Sequence, residues 1–211
     1  MNCNFSKVIF TGVAAVLFAS SGAAQETAFH KWNFNIAGGF TAPAGATADH
    51  FEGSGNISTG GGYNFSPLLG IVGEFQYNAL GFSTTTLNAL NVPDGNAHIW
   101  SLTANPIVRL PLGHRIGVYF TGGGGLYQRK LEFTSPATEA VFNPIFGAIG
   151  IPTNQILGSV TSTTGGLDAG GGLTYALRES GAKLYVESRY NHAFTDGPGT
   201  SYVPVSIGIR W

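Results

Sequence analysis

The chain has 211 residues, of which 43% are hydrophobic and 12% aromatic but only 10% are Asp, Glu, Lys or Arg, whereas soluble domains carry about 25% charged residues. So little charge cannot coat a water-facing surface, and after residue 24 no run approaches the ~20 apolar residues that a spanning helix needs. The composition therefore points to the other structure that can cross a bilayer, a sheet closed on itself so that no backbone edge meets lipid.

At the amino terminus Lys7 precedes an apolar stretch, Val8 to Ala19, and then Ser20-Ser21-Gly22-Ala23-Ala24. These are the charged, apolar and small-residue zones of a secretory signal peptide, with cleavage expected after Ala24. Residues 1–24 are accordingly set apart from a single domain over residues 25–211. Cys3, the one cysteine, lies ahead of the apolar stretch, so the exported chain is expected to have no disulfide, thiol redox chemistry or cysteine metal site. Loss of Lys7 leaves nine basic residues against eleven acidic ones, which gives nucleic acid nothing to bind. The five histidines are scattered without ligand spacing, and neither metal nor cofactor is expected.

From residue 25 onward, eight stretches alternate with a period of two. The first, Trp32 to Thr41, places Trp32, Phe34, Ile36 and Phe40 opposite Asn33, Asn35 and Thr41. The second, Asn56 to Phe65, sets Ile57, Tyr63 and Phe65 against Ser58 and Asn64 and stops at Ser66-Pro67. The third, Ile71 to Ala79, sets Ile71, Phe75 and Tyr77 against Glu74, Gln76 and Asn78. The fourth, His98 to Val108, sets Trp100, Leu102, Ala104 and Val108 against Ser101, Thr103 and Asn105. Pro106 cannot donate to a ladder and is expected to mark that strand's lower end. The fifth, Gly117 to Arg129, carries Val118, Phe120 and Leu126 on one face and Tyr119, Thr121, Tyr127 and Arg129 on the other. The sixth, Thr164 to Tyr175, sets Leu167, Ala169, Leu173 and Tyr175 against Asp168 and Thr174. The seventh, Leu184 to Ala193, sets Leu184, Val186 and Tyr190 against Glu187, Arg189 and Asn191. The eighth, Val203 to Trp211, is apolar at every odd position and small, polar or charged at every even one.

Within these segments the charged residues are Glu74, Arg129, Asp168, Glu187, Arg189 and Arg210, and all six lie opposite the aromatic face. In a soluble carrier the apolar face would line the cavity, whereas in a membrane barrel it meets lipid and the lumen is polar. Charge scarcity favours the second arrangement, so the predicted fold is all-β: an eight-stranded antiparallel up-and-down transmembrane β-barrel. The connections after the second, fourth and sixth strands are short and those after the first, third and fifth longer, as in such barrels. Glycines at 60–62, 122–125, 165–166 and 170–172 suit the tight curvature of a small barrel; no Lys-Ser/Thr follows them to make a phosphate loop.

Charges in a narrow lumen must pair. Arg210 is expected to reach Glu187, and Glu74 to meet Arg189 across the interior. Such a network would act as a plug that fixes register or, alternatively, as a gate on a narrow ion path. The longest connection, residues 132–163, includes the apolar run Val141 to Pro152; it is expected to fold over the mouth, lie against lipid headgroups or dock a surface partner. A lipid-modifying enzyme would need a nucleophile beside a base, and the nearest approximations are His98 with Ser101 and His192 with Thr195. His98 and Ser101 have opposite strand parity, so no catalytic residue is assigned.

The order of signal peptide, eight alternating strands, Y-V-E-S-R-Y-N-H at 185–192 and the closing V-P-V-S-I-G-I-R-W resembles the small outer-membrane β-barrels of the OmpA transmembrane-domain and OmpX type. The resemblance covers essentially the whole exported chain. It implies a bacterial outer-membrane location, contact with outer-membrane lipid, and a role for Val205, Ile207, Ile209 and Trp211 as the signal read by the barrel assembly machinery. This chain ends in Trp where Phe is commoner, and no wall-binding domain follows the eighth strand, so wall tethering is not implied. The function expected is non-enzymatic, in envelope integrity or in surface interaction through the external loops. A narrow porin-like pore is the alternative, ahead of lipid modification.

Overall fold

A computed structural model describes residues 30–143, 147–177, 181–195 and 199–211 of the chain. The expected signal peptide, residues 1–24 with Cys3 and Lys7, lies outside the described residues. The strands are β1 (Trp32–Ala44), β2 (Phe51–Asn64), β3 (Leu69–Phe82), β4 (Asp94–Pro111), β5 (Ile116–Asn143), β6 (Gly147–Ala176), β7 (Lys183–Ala193) and β8 (Thr200–Arg210). Each pairs antiparallel with its neighbour in the chain, and β8 returns to β1, which closes the barrel. This is the predicted eight-stranded up-and-down barrel.

Strand alternation fixes which face is which. In β1 Trp32 is 66% exposed while Asn35 is 1% exposed, and in β8 Ile207 is 55% exposed while Arg210 is 6%. Most aromatic and aliphatic side chains thus point away from the barrel axis, and nearly all the buried polar ones point into it. A one-residue slip of any strand would exchange the two sets, so the register is strongly specified. Closure ends in a reciprocal pair: Phe34 N–H donates to the Trp211 carbonyl at 2.9 Å and Trp211 N–H to the Phe34 carbonyl at 3.0 Å.

The connections at the end that carries the described termini are tight, at 65–68 and 112–115. At the opposite end a 3-10 turn, Gly45–Asp49, joins β1 to β2, and a short helix α1, Thr84–Leu90, joins β3 to β4. Ser83 caps α1 by accepting from the Thr86 N–H at 3.3 Å, and Asn91, at φ 54°, ends it in the left-handed region.

Two expectations need correction. The expected loop 132–163 is strand over 132–143 and 147–163: β5 and β6 continue past the rim, paired from Thr134 with Ile156 to Asn143 with Gly147. A register shift beside Phe133 and Thr134 leaves Leu157 unpaired at the base of this extension, a β-bulge that sharpens the local twist. Pro106 does not end β4, which runs on to Pro111 and pairs Pro106 with Ile71. Its missing donor is absorbed locally, because pairing to β5 lapses between Ala104 and Ile107 and Thr121 Oγ1 donates instead to the Pro106 carbonyl at 3.1 Å.

Candidate functional site

Inside the barrel the side chains form three layers. Toward the loop-bearing end, Leu80, Ala97, Ile99, Tyr127, Ala193 and Tyr202 pack together, with Phe51 and Leu131 against them. Toward the terminal end, Ala37, Val72, Ile107, Tyr119 and Tyr185 form a second apolar layer. The inward face is therefore less polar than strand alternation alone suggested. Val72, Ile99 and Ile107 sit at inward parity, where a rule that places every aliphatic outward misses them.

Between these layers lies a charged one, centred on Arg189. Its Nη2 lies 2.6 Å from Glu74 Oε1, its Nε 2.6 Å from Glu187 Oε1 and its Nη1 3.6 Å from Asp168 Oδ1. Three carboxylates thus converge on one guanidinium, and neutral donors bind the oxygens it does not reach. Asn35 Nδ2 donates to Glu74 Oε2 at 3.0 Å, and the Tyr119 hydroxyl to Glu187 Oε2 at 2.7 Å. The Tyr127 hydroxyl, 3.4 Å from Asp168 Oδ2, completes the set from the upper layer. With its amide turned to satisfy both ends, Asn105 accepts from Arg189 Nη1 at 2.9 Å and donates to Asp168 Oδ2 at 3.1 Å. Hydrogen bonds to ionised groups are roughly twice as strong as neutral ones, which makes this layer a rigid cross-brace between β3, β6 and β7.

Glycine makes room for it. A Cβ at Gly170 would lie 2.6 Å from Arg189 Cγ, and one at Gly172 2.7 Å from the Tyr119 hydroxyl. The glycine runs of β6 thus serve close approach of specific large side chains as well as curvature.

The six charged positions singled out in the sequence all face inward but do not form one network. Glu74, Asp168, Glu187 and Arg189 meet in the central layer. Arg129 stands apart, its Nη1 donating to Thr200 Oγ1 at 2.8 Å. Arg210 does not pair with Glu187; its guanidinium lies 4.7 Å from the Tyr119 ring centre and 4.8 Å from that of Tyr185. The reason is competition. Arg189, two residues from Glu187 on the same face, and the Tyr119 hydroxyl already hold both Glu187 oxygens. Asn35, Asn105, Tyr119 and Tyr127, the donors that complete the layer, were identifiable beforehand only as inward polar residues. The other candidate set, Val205, Ile207, Ile209 and Trp211, lies on the outer face, each at least 41% exposed.

Outside, the apolar belt ends toward the loops in a polar cluster. The Tyr77 hydroxyl hydrogen-bonds His98 Nδ1 at 2.7 Å, and Glu132 lies 2.7 Å from Lys130 and 3.5 Å from His98. The hydrogen bond from Lys130, aided by its charge, holds the Glu132 carboxyl below its usual range. His98 and Ser101 face opposite sides, Ser101 being buried in the lumen. His192 meets Ser201 rather than Thr195, Nδ1 to Oγ at 2.8 Å, and the Tyr190 hydroxyl donates to the same Oγ. Ser201 is only 7% exposed, and among the described residues no carboxylate lies within ion-pair distance of His192. A buried serine without an oriented base is a poor nucleophile. Among the described residues no group of three His, Cys, Asp or Glu side chains is placed to hold a metal.

Comparison with known proteins agrees with this architecture. The family model described as outer membrane protein beta-barrel domain matches residues 11–210. Among solved structures, Neisserial surface protein A is similar at a TM-score of 0.54 and 13% identity, covering 86% of this chain and 96% of that one. A major outer membrane protein from Thermus thermophilus is similar at 0.54 and 13%, covering 86% and 99%. At these identities the likeness is one of fold. No curated protein sequence matches the chain significantly.

Proposed function

The chain belongs to the outer membrane protein β-barrel domain family, and from that premise we propose that it is a non-enzymatic barrel of the bacterial outer membrane that works through the β5–β6 ribbon standing clear of its rim. The observation that carries this reading is where the neighbouring strands stop. β4 leaves β5 at Asp94 opposite Thr134, and β7 leaves β6 at Ala193 opposite Gly166. Phe194 adds one more rung, its N–H donating to the Gly165 carbonyl at 2.9 Å and its carbonyl accepting from Thr164 Oγ1 at 2.8 Å, and beyond that the described parts of the two long strands pair only with each other. At ~3.4 Å per residue, the part of β5 from Ser135 to Asn143 alone reaches roughly 30 Å.

Such a ribbon contributes nothing to closing the barrel, and its outer edges offer unpaired backbone groups. Natural edge strands are usually blunted with charge or proline. From Thr153 to Thr163 the β6 edge has neither, and Ile156 and Val160 are exposed there. An edge of this kind suits contact with another surface polypeptide. The rest of the molecule is read as its anchor: outer-membrane lipid against the apolar belt, the termini toward the periplasm, and Val205, Ile207, Ile209 and Trp211 as the outward-facing signal for the assembly machinery. The pore reading is the weaker one, because apolar layers cover the charged layer on both sides.

The test replaces residues 136–154 by a two-residue turn that joins Ser135 to Gln155. Expressing cells are then scored for adhesion to surfaces and to one another, and for exclusion of hydrophobic antibiotics. A surface-contact role predicts that trimming abolishes adhesion and leaves the barrier intact. Equal adhesion by trimmed and intact protein would refute it.

A further inference from the structure

The lumen carries a second set of charges, at its terminal end, that makes no ion pair with the central layer. We propose that Arg109, Lys183 and Arg210 form an anion site at this mouth of the barrel, built for a phosphate group.

The three cations come together from three strands. Lys183 and Arg210 are register partners on β7 and β8. Arg109, at inward parity on β4, reaches over Gly70, where an added Cβ would lie 3.2 Å from its Nη1. Arg109 is also the register partner of Tyr119, over whose ring the Arg210 guanidinium sits at 4.7 Å. Among the described residues, no carboxylate lies within 4 Å of any of the three.

The guanidinium donors point the same way. Arg210 is 6% exposed, yet its Nε and Nη1 find no acceptor within the protein, and neither does Nη2 of Arg109. The rings of Tyr119 and Tyr185 hold the face of the Arg210 guanidinium and leave its N–H edge unused. Asn33 Oδ1 is an open acceptor on the inward face of β1. A carbonyl oxygen accepts at most two hydrogen bonds, so at least one buried guanidinium donor would remain. Like-charged groups with unspent donors are costly to assemble unless something negative joins them.

Charge along the barrel axis adds to this. At the terminal end the described charged side chains are Lys31, Arg109, Arg115, Lys183 and Arg210, all basic, whereas toward the loops Arg129 and Lys130 are outnumbered by Asp49, Glu52, Asp94 and Glu132. Glu26, Arg178 and Glu179 lie outside the described residues. Two guanidinium forks and an ammonium match the oxygens of a phosphate, which accepts paired N–H donors and a point charge together. The group could come from a phospholipid headgroup at the rim or from a soluble phosphate, and the experiment separates these sources.

The protein, labelled with ¹⁵N-arginine, is refolded into phosphate-free maltoside micelles, and the arginine side-chain Nε–H resonances are followed by NMR. Inorganic phosphate is titrated against chloride at matched ionic strength. In a second arm phosphatidylglycerol is added to the micelles without free phosphate. Saturable shifts of the Arg109 and Arg210 resonances in the first arm alone assign a soluble phosphate, and in the second alone a headgroup. Arg109→Gln and Lys183→Gln, both at the rim, should each weaken binding about tenfold, the consequence of one lost charged hydrogen bond. Arg115→Gln should not. Arg210→Gln is included where heat-modified gel mobility shows a folded barrel; the two rim variants carry the test if it does not fold. Resonances that respond to neither source beyond the chloride control, or rim variants that bind as tightly as the parent, overturn the proposal.

Discussion

Removing the one guanidinium from the central layer should cost more than removing any carboxylate around it. In Arg189→Leu, Glu74, Asp168 and Glu187 keep their places in the lumen but lose the cation that two of them touch at 2.6 Å. Breaking a buried ion pair from one side costs about 3–5 kcal/mol, because the remaining charge is left uncompensated. Glu187→Gln is different: Arg189 retains Glu74 and Asp168, and the amide oxygen can still accept from the Tyr119 hydroxyl. The loss there should be nearer the ~1 kcal/mol of one hydrogen bond. A variant neutral at all four positions, Glu74→Gln, Asp168→Asn, Glu187→Gln and Arg189→Leu together, should regain most of what Arg189→Leu loses, since well-packed neutral groups often replace buried ions at little cost. Equilibrium urea unfolding in phospholipid vesicles, approached from both the folded and the unfolded side and followed by tryptophan fluorescence, gives each value by linear extrapolation. An Arg189→Leu cost within about 1 kcal/mol of zero, or a neutral variant no more stable than Arg189→Leu, would refute the cross-brace.

Gly170→Ala should hinder folding, because its Cβ would meet the Ser188 carbonyl as well as Arg189, whereas Gly165→Ala, with Phe194 4.0 Å away, should be tolerated; heat-modified gel mobility reads the difference. Leu102→Arg, on the outer face at 60% exposure, should cost about 2–4 kcal/mol in vesicles if it sits near the bilayer midplane, measured by the same urea titration. The parent protein in planar bilayers should give no reproducible single-channel steps, and steps altered by Glu187→Gln would instead favour the gated pore.

The fold was readable because lipid and lumen impose opposite demands on alternate residues. Trp32 to Thr41 and Val203 to Trp211 show that alternation plainly, and the register follows from it. The β5–β6 extension was not readable for the same reason in reverse. Beyond the rim both faces of a ribbon meet water, no alternation is enforced, and Thr153 to Thr163 reads as an ordinary polar loop. Hydrogen-bonded pairing carried up from Gly125 and Gly166 extends the ladder without needing that pattern. In the lumen, parity told which charges face inward but not at what depth, since strand stagger is not written in any single strand. Hence Arg210 could be assigned a face but not its tyrosine neighbours, and the apolar layers that hold Val72 and Ile107 were invisible to a rule that sends every aliphatic outward.

The central claim is that acyl chains, not water, touch the aromatic side of the sheet. Trp100, 40% exposed on the outer face beside Phe75, tests it directly when Trp32 and Trp211 are replaced by Phe. Reconstituted in vesicles of lipid brominated along the acyl chains, its fluorescence should be strongly quenched and should resist aqueous iodide. Emission indifferent to the brominated chains but quenched by iodide would contradict the account.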